Sequence, residues 1–159
     1  MSAQPNGLLT WDVGEIAVSL KIGEAEVREY FTDGRRVSFI LERRLAREVV
    51  KGKLAASEGA GYDLIDSHGQ KWEVRSITRR GIYFCPSYMV GSGRSFDEEG
   101  FVAKLAAIEG YIISDVESFP NIPFWILPKT AVLSWWQAGR LGTASKISRS
   151  MALKLLESL

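Results

Sequence analysis

Between Arg35 and Ser57 the apolar residues Val37, Leu41, Leu45 and Val49 recur every four positions. That spacing sets them on one face of a long helix, because side chains four apart stack on one side of a coil with 3.6 residues per turn. Arg36, Arg43, Arg44, Arg47 and Lys51 fall largely on other faces, the pattern of a solvated charged surface or, beside a site that takes a polyanion, of phosphate contacts. The period then changes to two. "YDLID" and "KWEVRSIT" read as strands joined by "SHGQ", whose glycine suits a tight turn. Alternation points Asp63 and Ile65 one way and Leu64 and Asp66 the other, while Glu73 and Arg75 share a face opposite Trp72, Val74 and Ser76.

Around this centre the chain reads as one continuous fold over residues 1–159, without repeats or low-complexity tracts. The stretch "TWDVGEIAVSLKIGEAEVREYFTDG" predicts a short apolar segment and a short helix ending at an Asp33-Gly34 turn. After the Arg79-Arg80 pair comes a third strand, "GIYFC". A helix over "FDEEGFVAKLAAIEG" follows, with Phe101, Leu105 and Ile108 on its apolar side. Tyr111 to Val116 and Pro123 to Leu127 read as buried strands, "KTAVLSWWQAG" as a helix closed by Gly139, and Ser145 to Glu157 as a basic amphipathic helix. The order predicts an α/β fold with a mixed central sheet flanked by helices.

No run approaches the roughly 18 consecutive apolar residues of a membrane span, so no membrane is expected as a partner. Cys85 stands alone and cannot form an internal disulfide, and the first ten residues lack a secretory pattern; both lead to a cytoplasmic expectation. A net charge of +1 does not mark the whole chain as a binder of polyanions, so such binding would rest on local patches. A single histidine, His68 in the turn, and a single cysteine supply no zinc set.

The acids of the two strand-like runs carry the chemistry. If the runs pair, Asp63 and Glu73, ten residues apart, converge. Two close carboxylates repel and resist ionisation unless a cation compensates them. Hard oxygen ligands, with the Val74 carbonyl able to join them, suit Mg²⁺. Such an ion activates bound water and stabilises charge on a phosphodiester, which is the logic of metal-assisted hydrolysis.

"GYDLID", a turn and "KWEVRS" resemble the PD-(D/E)xK nuclease superfamily, and among its members the small type II restriction endonucleases, with an Asp, ten residues, then Glu-x-basic-Ser. The likeness is sharp over about 16 residues and is supported by the order helix, three strands, helix, strand. It implies a restriction-endonuclease-like fold, Mg²⁺-dependent cleavage of specific double-stranded DNA, and a homodimer. It assigns Asp63 and Glu73 as catalytic metal ligands and puts Arg75 in the place of the family's lysine. Tyr62 stands where the motif often has proline. Arginine stays charged, so Arg75 is suited to orienting water or holding phosphate, not to acting as a base. An active enzyme with an arginine variant, a pseudo-nuclease and a chain altered to suppress cleavage all remain open.

Glu58 and Glu48 are candidates for a further acid. Lys71, Arg79, Arg80 and Arg94 are candidates for a DNA-binding rim, with Ser92 and Ser95 in a glycine-rich loop that lacks the GK[ST] ending of a nucleotide-binding P-loop. Trp135 and Trp136 read as packing aromatics. Two rival functions stand beside the nuclease: a catalytically inactive DNA-binding module on the same scaffold, favoured by Arg75, and a protein-interaction domain whose acidic hairpin has no ligand.

Overall fold

The computed structural model describes residues 4–142 and 145–159, with the side chain of Glu58 outside the description. Its elements run β1 (Gly7–Thr10), α1 (Val13–Leu20), α2 (Glu24–Phe31), α3 (Gly34–Glu48), β2 (Lys53–Leu54), β3 (Leu64–Ile65), β4 (Lys71–Ile77) and β5 (Ile82–Tyr83). Then come α4 (Glu98–Ala107), β6 (Gly110–Asp115), β7 (Asn121–Pro128), α5 (Lys129–Gln137), β8 (Lys146–Ile147) and α6 (Arg149–Glu157). Six strands form one sheet in the order β1-β7-β6-β4-β3-β2; β4 and β6 are parallel and the other neighbours antiparallel. The fold is therefore mixed α/β with a mixed sheet flanked by helices. Among the described residues no helix is long and apolar enough to cross a membrane.

Apolar layers cover both faces of the sheet. On one, Val37, Leu41 and Leu45 of α3 are fully buried against Leu64, Val74 and Ile112. On the other, Phe101 and Leu105 of α4 pack with Ile77, Tyr111, Ile113, Trp135 and Leu155. Consecutive residues of β6 alternate between the layers, and all six are buried, as a central strand covered on both sides requires. Trp135 lies in this core, and Trp136 meets Phe96 at a tilt and Phe101 edge-on at centroid distances of 5.0 and 5.3 Å, so the tryptophan pair is packing.

Several predicted boundaries move. The N-terminal stretch forms two helices, broken where Lys21 takes a left-handed conformation at φ 60°. Asp33 does not end a helix but begins one: its Oδ1 accepts the amides of Arg35 and Arg36 and so caps α3. The helix predicted to Ser57 stops at Glu48, after which Lys51 adopts φ 54° and Gly52 presses on β3. A Cβ on Gly52 would stand 1.9 Å from the Ile65 carbonyl oxygen, so only glycine admits β2 to the sheet edge. "GIYFC" does leave a strand, β5, but it pairs with β8 in a separate two-stranded sheet. The last helix starts at Arg149, where the Ser148 hydroxyl accepts the Met151 amide.

Candidate active site

The hairpin of β3 and β4 is built by its own turn. Asp66 accepts the amides of His68 and Gln70 at Oδ1 and the Trp72 indole at Oδ2, while Gly69 supplies φ 80°. Because β3 is only two residues long, the chain before Asp63 runs away from β4, and the Val74 amide bonds a side chain instead of a strand neighbour. The Asp63 carboxylate takes that place, with Oδ2 accepting from Val74 N at 2.8 Å. The backbone of Asp63 is fixed on both sides, its amide to Trp72 O and its carbonyl to Ala55 N. Its carboxylate is thus pinned beside the residue that follows Glu73.

Glu73 is only 4% exposed and meets two cations. Its Oε1 lies 2.7 Å from Arg75 Nη1 and its Oε2 2.8 Å from Lys104 Nζ, which α4 carries across from the other side of the cleft. The second contact is an ion pair by distance, but its alignment is not that of a hydrogen bond, and Oε2 is left as a buried acceptor without a donor. Arg75 is tied further, through Nη1 to Val74 O at 3.3 Å and Nη2 to Cys85 O at 3.0 Å. Lys104 also donates to the Gly61 carbonyl. The Val74 carbonyl, expected to be open to a ligand, is therefore in use by Arg75, though only through a long contact.

A third acid joins from α3. Burial, and next the charge of Asp63, push the Glu42 carboxyl up to about 7 from its usual 4.5; Glu73 adds to the rise, and Arg43 and Arg75 oppose it. Asp63 is raised as well, by burial first and then by Glu73, against the Val74 amide, Arg75 and Lys104. Three carboxylates thus share a site with the cationic tips of Arg75 and Lys104, and the excess is acidic.

Among the described residues, no group of three or more His, Cys, Asp or Glu side chains already stands close enough to hold a metal. The donor chemistry nevertheless fits a hard divalent cation. The orphaned Oε2 of Glu73, the Asp63 carboxylate and Glu42 are oxygen donors whose mutual repulsion a cation relieves. Such an ion would take Glu73 in exchange for Lys104.

These groups line a cleft of about 1810 Å³. Asp63, Glu73, Val74, Arg75, Arg79, Arg80 and Arg94 all reach it, with Tyr62 and Ser92. Arg79 and Arg80 are exposed, whereas Arg94 folds back to donate to Ser87 O at 3.1 Å. Lys71 does not line the cleft: it begins β4, with its ammonium 5.1 Å from the Tyr62 ring. Glu48 also lies off the cleft, paired with Arg44 at 2.9 Å where α3 ends, and the Glu58 side chain is outside the described residues.

The sequence reading missed Glu42, Lys104 and two further arginines of the rim, Arg28 and Arg35, while Arg36 of the charged α3 face lines the cleft too. A signal for Glu42 exists. Arg35, Ser38 and Glu42 follow the i, i+3, i+7 spacing of one helical stripe beside the buried one, and all three line the cleft. Gly100, Ala103 and Lys104 mark the corresponding stripe of α4. Neither the family models nor the curated proteins match this chain, so the meaning of the site rests on its geometry.

Proposed function

We propose that the protein is a Mg²⁺-dependent endodeoxyribonuclease of PD-(D/E)xK type, hydrolysing phosphodiester bonds in specific double-stranded DNA. The observation that carries this reading is Asp63 pinned beside Glu73 in an arginine-rimmed cleft that Glu42 also lines, with its carboxyl raised by burial and by their charge. Pairing supports it in part: in the order α3, β2, β3, β4, β5, α4, β6, strands β2 to β4 are antiparallel and β6 is parallel to β4. The third strand of this sheet is β2 and not the "GIYFC" strand of the sequence reading, which lies in the other sheet as β5.

Asp63 and Glu73 would hold the ion, with Glu42 as a third oxygen donor. A bound divalent ion would acidify water and stabilise charge on the phosphodiester. The exposed Arg79 and Arg80, with Arg28, Arg35 and Arg36, would take the phosphate backbone. One site cuts one strand, so the reading includes a homodimer whose two-fold axis matches a palindromic target.

Purified protein incubated with unmethylated phage DNA should give discrete fragments in Mg²⁺ and none in EDTA, and Asp63→Asn should abolish cutting while retaining DNA binding. Cutting that survives the Asp63 change refutes the assigned site. One observation favours the inactive binding module: Arg75 and Lys104 already compensate Glu73 without a metal. Metal-independent binding of duplex DNA with no cleavage would select that reading.

A further inference from the structure

We infer that Lys104, and not Arg75, is the cation that meets the scissile phosphate; the inference rests on the nuclease reading above. Arg75 follows Glu73 by two residues and is the obvious basic partner in sequence, but its guanidinium is a strut. It pairs with Glu73 Oε1 and donates to two backbone carbonyls, Val74 O and Cys85 O. Cys85 is 2% exposed, so an arginine that swung toward substrate would leave a carbonyl inside the protein without its donor. The cost of moving is built into its position.

Lys104 is about as buried as Arg75 but is held by fewer contacts. Its ammonium sits at the tip of a flexible four-carbon stem, and among the described residues it touches Glu73 Oε2, without hydrogen-bond alignment, and the carbonyl of Gly61. Gly61 is exposed, and water satisfies its carbonyl once the lysine leaves. The neighbouring cleft residue on α4, Ala103, has no long side chain to fill the space beside the ammonium. When Glu73 turns to a divalent ion, Lys104 loses its anionic partner, and the nearest replacement is an oxygen of the bound phosphodiester.

In the resulting step the oxygen of water forms a bond to phosphorus and the bond to the leaving sugar oxygen breaks. The proton of water passes to solvent and the leaving oxygen takes one from solvent. Lys104 neither gains nor loses a proton; it donates hydrogen bonds to a non-bridging oxygen as charge builds there.

The test compares the unaltered protein with Lys104→Met in two measurements: single-turnover cleavage of phage DNA at saturating Mg²⁺, and calorimetric titration with Mg²⁺ alone. Lys104→Met should slow cleavage about 100-fold or more, the loss typical of one transition-state donor, and should bind Mg²⁺ more tightly than the unaltered protein because nothing then competes for Glu73. Near-normal cleavage by Lys104→Met overturns the inference and leaves the nuclease reading standing. Slow cleavage with weakened Mg²⁺ binding also overturns it, since Lys104 is then a prop of the metal site. Absence of cleavage by the unaltered protein refutes the nuclease reading itself, and the inference falls with it.

Discussion

Replacing Glu42 by glutamine should make the protein more stable at alkaline pH while destroying its proposed activity. The carboxyl is half-buried on α3, with a pKa pushed up to about 7 by burial and by the neighbouring Asp63. A folded-state value above the unfolded one means that the folded protein holds the proton more tightly. Stability is therefore unaffected below the unfolded value of 4.5, falls as pH rises from there to about 7, and stays reduced above it. At about 1.4 kcal/mol per pH unit the shift has a ceiling of about 3.5 kcal/mol. Solvent reaches part of the carboxyl and screens it, which leaves about 1–2 kcal/mol. For a domain of this size that corresponds to about 4 °C in melting temperature.

Thermal melts of the unaltered protein and Glu42→Gln in EDTA, at pH 4.5 and pH 8.5, measure this directly. Glutamine imitates the protonated acid, so the variant should melt about 4 °C higher at pH 8.5, with the difference nearly gone at pH 4.5. Mg²⁺ should then raise the melting temperature of the unaltered protein more than that of the variant, because the added cation offsets a repulsion the variant lacks. A difference that is the same at both pH values, or a variant less stable at pH 8.5, would refute the claim that Glu42 is an uncompensated acid.

Arg149→Met should destabilise the fold by about 2–3 kcal/mol in denaturant unfolding, because Asp115, 2% exposed, loses a bidentate partner at 3.0 and 2.7 Å and, among the described residues, keeps only the Ser118 hydroxyl as a side-chain donor. Exposure of the arginine itself holds the figure below that of a fully buried pair. Arg75→Lys should lower stability by about 1–3 kcal/mol by unpairing the Cys85 carbonyl, and it should not increase cleavage, in contrast to what the sequence motif alone implies. Arg79→Ala with Arg80→Ala should weaken DNA binding at low salt and flatten the salt dependence by about two phosphate contacts; an unchanged slope would remove these residues from the interface.

The parts of the molecule legible in the sequence are those settled by near neighbours. Val37, Leu41 and Leu45 declare the α3 core face, and the ten-residue separation of Asp63 and Glu73 is closed by a turn whose Asp66 and Gly69 make it themselves. Strand β8 and its pairing with β5 were not legible, since two-residue strands are too short to show alternation and their partners lie far apart in the chain. The same distance hid Glu42 and Lys104. Each sits on a different helix, and the two helices pack on opposite faces of the sheet; only the assembled fold brings both to the edge where β3 gives out.

The division of labour at that edge follows from the same geometry. A hairpin can bring two acids together without tertiary help, but it cannot supply the cations that make Glu73 tolerable in a buried position. Arg75 comes from the same strand and is fixed by it, whereas Lys104 comes from α4, on a stem long enough to retreat. The pair lets the fold form with Glu73 neutralised and leaves Glu42 with no comparable partner among the described contacts. A site arranged in this way should fold without a metal and still hold an acidic excess that a divalent cation would remove. Melting in EDTA should therefore remain cooperative, with Mg²⁺ changing the midpoint and not the existence of the transition.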